Sequence, residues 1–204
     1  MSDDLPVLEE DTIDALTELV NIGVGRAAAS LSDLIGERIE LTVPRVRFCR
    51  ENEPIIQEAS GGALSTTVVT QDFCGRINGR AALMFPQSSA LILGGLLSGG
   101  EALATEVDAE LSGILLEVGN IVLNGVLGSL SNVAGDVFDY SLPTLFDEQP
   151  ALSWLLLSND TAAELLIVDV EFHVQHSEIR GTIAIVFAGG CVQTLIEQVF
   201  QTAS

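Results

Sequence analysis

The stretch Asp14–Pro44, DALTELVNIGVGRAAASLSDLIGERIELTVP, returns in altered form at Gly113–Pro143, GILLEVGNIVLNGVLGSLSNVAGDVFDYSLP, 99 residues further along the chain. Both copies hold Glu, two residues, Asn, then 22 residues and Pro: Glu18, Asn21 and Pro44 in the first, Glu117, Asn120 and Pro143 in the second. The same shift aligns Leu16 with Leu115, Ile22 with Ile121, Ser30-Leu31-Ser32 with Ser129-Leu130-Ser131, and Gly36 with Gly135. Self-similarity at a fixed offset points to two copies of one supersecondary unit sharing a core. In the first copy Ile13, Leu16, Val20, Val24, Ala27 and Leu31 recur at helical spacing, and Gly36 supplies a C-terminal stop. The motif therefore sits on a helix from about residue 11 to about 35.

Asp11 or Thr12 can cap that helix, and residues 1–10 form an acidic lead expected to be flexible. Beyond the helix, Ile39, Leu41 and Val43 alternate like a strand, with Pro44 where the strand must bend or lie at an edge. A polar loop is expected at 51–62. Strands follow at Leu64–Phe73 and Gly79–Phe85, joined through the turn-like CGRING, and then a helix from Pro86 to Leu97 that Ser98-Gly99-Gly100 ends. The second half repeats this order. A helix spans about Asp108–Ala134, a strand lies near Val137–Leu142, further strands are expected at Trp154–Leu157, Glu164–His173 and Ile179–Phe187, and a helix at Gly189–Phe200 closes the chain. GTIAIVF at 181–187 resembles GRAALMF at 79–85, there at an offset of 102. The expected fold is α/β, more strictly α+β: a duplicated, pseudo-two-fold unit with an antiparallel-rich sheet and the two long motif helices side by side. Residues 11–204 are expected to form one domain of two repeats, about 11–100 and 108–204.

Composition narrows the function classes. With 48% apolar and 18% charged residues the chain buries a core and does not read as disordered. Its 29 acidic against 8 basic side chains give a formal charge of −21, which repels phosphate backbones and anionic membrane surfaces, so no nucleic acid is expected as a partner. The opening MSDDLPVLEEDTI has neither the basic flank nor the apolar block of a signal peptide, and a cytoplasmic location is expected. Ser112–Leu130 is apolar enough to suggest a membrane span, but Glu117, Asn120 and Asn124 interrupt it and its duplicate is far less apolar. A buried helix, with no membrane insertion, is the expectation. Cys49, Cys74 and Cys191 lack CxxC spacing and read as buried free thiols.

On a helix, Asp14, Glu18 and Asn21 stand at i, i+4 and i+7 and share one face, flanked by the small residues Gly25 and Ala28. Glu can pair with a cation, and Asn, which donates and accepts at once, can hold a water in a fixed direction. No His, Cys or Ser neighbour completes a covalent site. The chemistry such a face supports is orienting a water for attack on a group that another molecule supplies. One copy alone would more often be a solvated helix face; two copies, each with the same downstream Pro, favour a site. Other signals carry less. Gly23-Val24-Gly25 lies inside the helix pattern with no preceding strand, so it reads as close packing and not as a dinucleotide loop. His173 and His176 have no metal-ligand spacing around them, and no metal site is expected. Ser65 and Ser88-Ser89 lack the setting of a catalytic serine, and 5% aromatic residues argue against stacking on bases.

The pattern Asp/Ser-x3-Glu-x2-Asn-x22-Pro resembles the signature of the CheC/CheX/FliY phosphatases of bacterial and archaeal chemotaxis. Length and duplication look most like the CheC type, over about residues 10–204. The first copy matches in full, at Asp14, Glu18, Asn21 and Pro44; the second matches at Glu117, Asn120 and Pro143 but has Gly113 where the family has Asp or Ser. The resemblance implies hydrolysis of the aspartyl phosphate on phosphorylated CheY. Asn21 and Asn120 would position the attacking water, Glu18 and Glu117 would pair with a receiver lysine, and Asp14 would support docking. Pro44 and Pro143 would shape the neighbouring strands. It implies no cofactor bound by this chain, the Mg²⁺ belonging to the receiver. Family members of this length also bind the receptor deamidase CheD, though no residue here marks that surface. The alternative is a non-catalytic chemotaxis adaptor of the same fold that binds a receiver or CheD. Because Gly113 removes a side chain beside the second docking face, the second site is expected to be the weaker.

Overall fold

Helix α1 spans Glu10–Ile35, and its buried stripe is Leu16, Val20, Val24, Ala27 and Leu31. Burying each large aliphatic side chain is worth about 1.5–3 kcal/mol, which outweighs the ~1 kcal/mol that Gly23 and Gly25 each cost as helix formers. The structure is a computed structural model that describes residues 10–36, 38–50, 66–98, 106–149, 164–174 and 177–202. Strands β1 (Ile39–Arg50), β2 (Thr66–Cys74) and β3 (Gly79–Pro86) follow α1, then helix α2 (Gln87–Leu97) and helix α3 (Ala109–Ala134). The second half continues with β4 (Asp139–Tyr140), β5 (Thr144–Gln149), β6 (Glu164–Val174), β7 (Ser177–Phe187) and helix α4 (Cys191–Thr202).

The strands form one seven-stranded sheet in the order β1-β6-β7-β3-β2-β4, with β5 also pairing β2, and every pairing is antiparallel. When β1, β2 and β3 are matched in turn with β4/β5, β6 and β7, the order reads the same from either end. At its centre Ala82 pairs with Ala184, residues related by the 102 offset, and Ala81↔Ile185 and Leu83↔Ile183 mirror each other beside it. The buried cluster joins α1 and α3 to Ala90 and Leu93 of α2, Val192 and Leu195 of α4, and alternate residues of β3, β6 and β7 such as Leu83, Leu166 and Ile185. The motif helices thus lie side by side on the sheet as the repeat predicted.

Equivalent residues do equivalent work at the helix ends. Gly36 and Gly135 both take positive φ, 74° and 61°, and stop α1 and α3. The Ser32 hydroxyl accepts from the Ile39 N–H at 2.9 Å, tying α1 to β1, and the Ser131 hydroxyl donates to the Asp136 carbonyl just past α3 at 2.5 Å. Gly23-Val24-Gly25 is helical, as expected, and Gly23 marks the crossing with α3: a Cβ there would sit 2.5 Å from the Gly125 carbonyl oxygen.

Several expectations need correction. Glu10 is already helical, so Asp11 and Thr12 lie inside the first turn and do not cap it. The strand expected at Val137–Leu142 pairs only at Asp139–Tyr140. Pro143, with no N–H to donate, interrupts the ladder, and pairing resumes in β5, a strand the sequence reading missed. Cys74 is exposed because Phe73 takes the inward position of β2, and Cys191 is only partly buried; both are free thiols, not buried ones. The acidic lead expected over residues 1–9, the loop at 51–62, the strand at Trp154–Leu157 and His176 lie outside the described residues.

Candidate functional site

Asp14, Glu18 and Asn21 are exposed on α1, opposite the stripe that faces the core. Among the described residues no hydrogen bond or ion pair engages their side chains. Ile22, next to Asn21, is 42% exposed, large for an isoleucine, and adds apolar surface to the same region. Gly25, one turn beyond Asn21, is exposed and has nothing within 4 Å of the position a Cβ would take. A partner can therefore approach this stretch of α1 closely.

The face on α3 is built from Gly113, Glu117, Asn120 and Asn124, again spaced i, i+4, i+7 and i+11. Asp108 caps the helix by accepting from the Leu111 N–H at 2.9 Å. Leu115, Val122, Leu123, Val126 and Leu127 bury the opposite side. Among the described residues α3 is the one helix long and apolar enough to cross a membrane by length and composition. Its apolar stripe is spent on the core. Glu117 is exposed and, among the described residues, has no ion-pair partner; Gly113 leaves open space where α1 has Asp14. Asn120 is partly buried, and its Oδ1 accepts from Asn124 Nδ2–H at 2.8 Å. Sequence reasoning passed over Asn124 as a mere interruption of an apolar run, although an amide pair at i, i+4 is a known helix contact.

The prolines sit on the strands that follow each motif helix. Pro44 falls in β1 at the register shift between Thr42 and Arg45, on an edge strand as expected, and Pro143 precedes β5. No group of His, Cys, Asp or Glu suited to a metal ion occurs among the described residues. The structure thus places one acid–amide face on each of two helices that pack against each other.

Residues 13–47 match the CheC-like family, a span that holds the whole first motif. The flagellar motor switch phosphatase FliY of Bacillus subtilis is 27% identical over 136 residues, covering 67% of this chain and 34% of that protein. The chain spans about a third of the length of that curated relative (34%). Among solved structures, Thermotoga maritima FliY superposes with a TM-score of 0.76 at 21% identity, over 96% of this chain and 98% of that one. The FliM middle domain from H. pylori gives 0.67 at 11% identity, over 94% and 99%. CheX in the CheX–CheY–BeF3–Mg²⁺ complex from Borrelia burgdorferi gives 0.53 at 18%, over 84% and 99%. At these identities the structural likenesses establish the fold: the mixed helix and antiparallel-sheet architecture is that of FliY, FliM and CheX.

Proposed function

We propose that this CheC-like protein is a cytoplasmic chemotaxis phosphatase that hydrolyses the aspartyl phosphate of a CheY-type receiver. The observation that carries the reading is the pair of Glu–Asn faces, exposed Glu18 with Asn21 and exposed Glu117 with the partly buried Asn120, on two helices packed together. Each face offers a carboxylate without an ion-pair partner among the described residues and an amide, and no nucleophile beside them. That combination suits docking on a cation and orienting a water, with the phosphoryl group arriving on the partner. Glu18 or Glu117 pairs with a receiver lysine, Asn21 or Asn120 directs the water, and Asp14 adds a second docking carboxylate at site one. The water oxygen bonds to phosphorus, the acyl P–O bond breaks, inorganic phosphate leaves with both water protons, and the receiver carboxylate is regenerated. Any Mg²⁺ is the receiver's, held by its own carboxylates. The division of labour parallels a glutamine that orients the attacking water in GTP hydrolysis.

The FliM-like fold supports a second reading, an adaptor that binds a receiver or the deamidase CheD without hydrolysis. An adaptor has no need of two Glu–Asn pairs, and this chain has both. Phosphate release from a phosphorylated CheY-type receiver, measured with and without the protein, separates the two. Acceleration is expected; binding without acceleration would leave the adaptor.

A further inference from the structure

Under the 99-residue shift the two faces match at Glu and Asn but differ at two places: Asp14 against Gly113, and Gly25 against Asn124. The second difference has a structural consequence. Asn124 Nδ2 lies 2.8 Å from Asn120 Oδ1, whereas Asn21 has no side-chain hydrogen bond among the described residues. We infer that Asn124 is a positioning residue that fixes the amide of Asn120, so that site two is preorganised for turnover while site one is built for docking. This rests on the phosphatase reading above.

The chemistry follows from the amide itself. An asparagine side chain turns freely about its last torsion, and a half-turn exchanges its donor for its acceptor. A residue that must present one lone pair and one N–H to a water in a set direction loses time in the wrong orientation unless a neighbour selects one. Asn124 makes that selection by occupying one lone pair of Asn120 Oδ1. The second lone pair and both N–H donors stay available. Asn124 Oδ1 is itself buried with no hydrogen-bond partner among the described residues, so the placement of this side chain is not explained by its own satisfaction. Fixing a group before the reaction removes its ordering cost from the barrier. Site one lacks the device, because position 25 is glycine, but the space is there: nothing lies within 4 Å of a Cβ at Gly25.

The test uses the full chain and a phosphorylated CheY-type receiver. In an Asn21→Ala background, where site two acts alone, Asn124→Ala should lower kcat by roughly tenfold, less than the ~10²-fold that accompanies a 1 Å misplacement of a reacting group. KM should stay within about twofold, since Glu117 still docks. Asn124→Asp, which offers only acceptors and turns the Asn120 amide the other way, should lower kcat further, and Asn124→Gln should restore part of it. In an Asn120→Ala background, Gly25→Asn should raise kcat at site one. A second readout needs no receiver: in the ¹⁵N-labelled protein the Asn120 side-chain amide should show a higher heteronuclear NOE than that of Asn21. Asn124→Ala should abolish the difference, and Gly25→Asn should confer it on Asn21. Equal mobility of the two amides in the wild type, or a kcat at site two indifferent to Asn124→Ala, would overturn the assignment. If the wild type releases no phosphate at all, the phosphatase reading fails and the amide measurement alone decides whether Asn124 positions Asn120.

Discussion

The two motif helices solve the same packing problem and end in different surfaces. Both α1 and α3 bury an aliphatic stripe, stop at a glycine of positive φ and tie the following chain back through equivalent serines, Ser32 and Ser131. Their outer faces diverge around a constant Glu–Asn pair. On α1 the variable position toward the N-terminus is an acid, Asp14, and the one toward the C-terminus is empty, Gly25; on α3 the empty position is Gly113 and the occupied one is Asn124. The core constrains each helix on one side only. The outer faces of a duplicated pair of helices are therefore free to keep a common Glu–Asn pair while diverging on either side of it.

The strongest way to break this comparison is to remove what the two faces share. Asn21→Ala together with Asn120→Ala should abolish acceleration, a loss on the order of 10²-fold or more if water orientation is the whole contribution. Binding of the receiver should largely survive through Glu18 and Glu117. Decay of radiolabelled receiver phosphate at saturating protein, with receiver affinity measured in parallel, checks both halves of the expectation. Undiminished decay with the double variant would end the enzymatic reading and leave the adaptor. Each single variant should retain the activity of the other site.

The contact between the helices offers the next test, because two glycines on one helix should respond with opposite sign. A Cβ at Gly23 would meet the Gly125 carbonyl oxygen at 2.5 Å and Val126 Cα at 2.7 Å, both backbone atoms that cannot swing aside. Gly23→Ala must push α1 away from α3, and overpacking of this kind costs about 1–3 kcal/mol. At this chain length each kcal/mol lowers Tm by roughly 2–4 °C. Gly25→Ala, two residues on, meets nothing within 4 Å and should stabilise α1 by up to about 1 kcal/mol from helix propensity. Thermal melts of the two variants beside wild type decide it, and equal shifts would mean that the helices are not held at this crossing.

The contrast between those glycines also marks how far the sequence could be read. Helical periodicity placed Gly23 and Gly25 on α1, and the 99-residue offset placed α3, because both signals are local or self-referential and survive without coordinates. The palindromic strand order was implicit in the GRAALMF and GTIAIVF match, and the structure turns it into the central Ala82↔Ala184 pairing. What stayed illegible depends on long-range partners. Whether Gly23 is crowded and Gly25 free is decided by where α3 crosses. β5 was hidden because its run, Thr144-Leu145-Phe146, is short and follows Pro143, and because its ladder is made with the distant β2. At the site, spacing alone placed Glu18 and Asn21 on one face of α1 and Glu117 and Asn120 on one face of α3, and the structure puts them on those helices. Asn124 was legible in principle from its i+4 relation to Asn120, but its weight came from a side-chain contact that spacing permits and does not require. The exposure of Cys74 was missed for a related reason: composition says that cysteines bury, whereas strand alternation gave the inward place to Phe73.

The smallest expected effect restores the missing acid at the second face. Gly113 is exposed, lies one turn before Glu117, and has open space around its Cβ position, so Gly113→Asp can be made without disturbing the core. The change replaces a poor helix former and completes the Asp-x3-Glu-x2-Asn spacing that α1 already has. If Asp14 helps site one dock by pairing with a receiver cation, the new carboxylate should do the same for site two. Exposed ion pairs contribute about 0.2–1 kcal/mol, so KM at site two should fall by at most about fivefold in an Asn21→Ala background. kcat should not change if, as proposed, orientation belongs to Asn120 and Asn124. The gain should fade as salt rises toward 1 M, where the screening length shrinks to about 3 Å. A rise in kcat with KM unmoved would reverse the assignment of docking to the acid. The same experiment on α1, Asp14→Gly in an Asn120→Ala background, should raise KM by a similar factor and make site one resemble site two in docking while leaving its amide free.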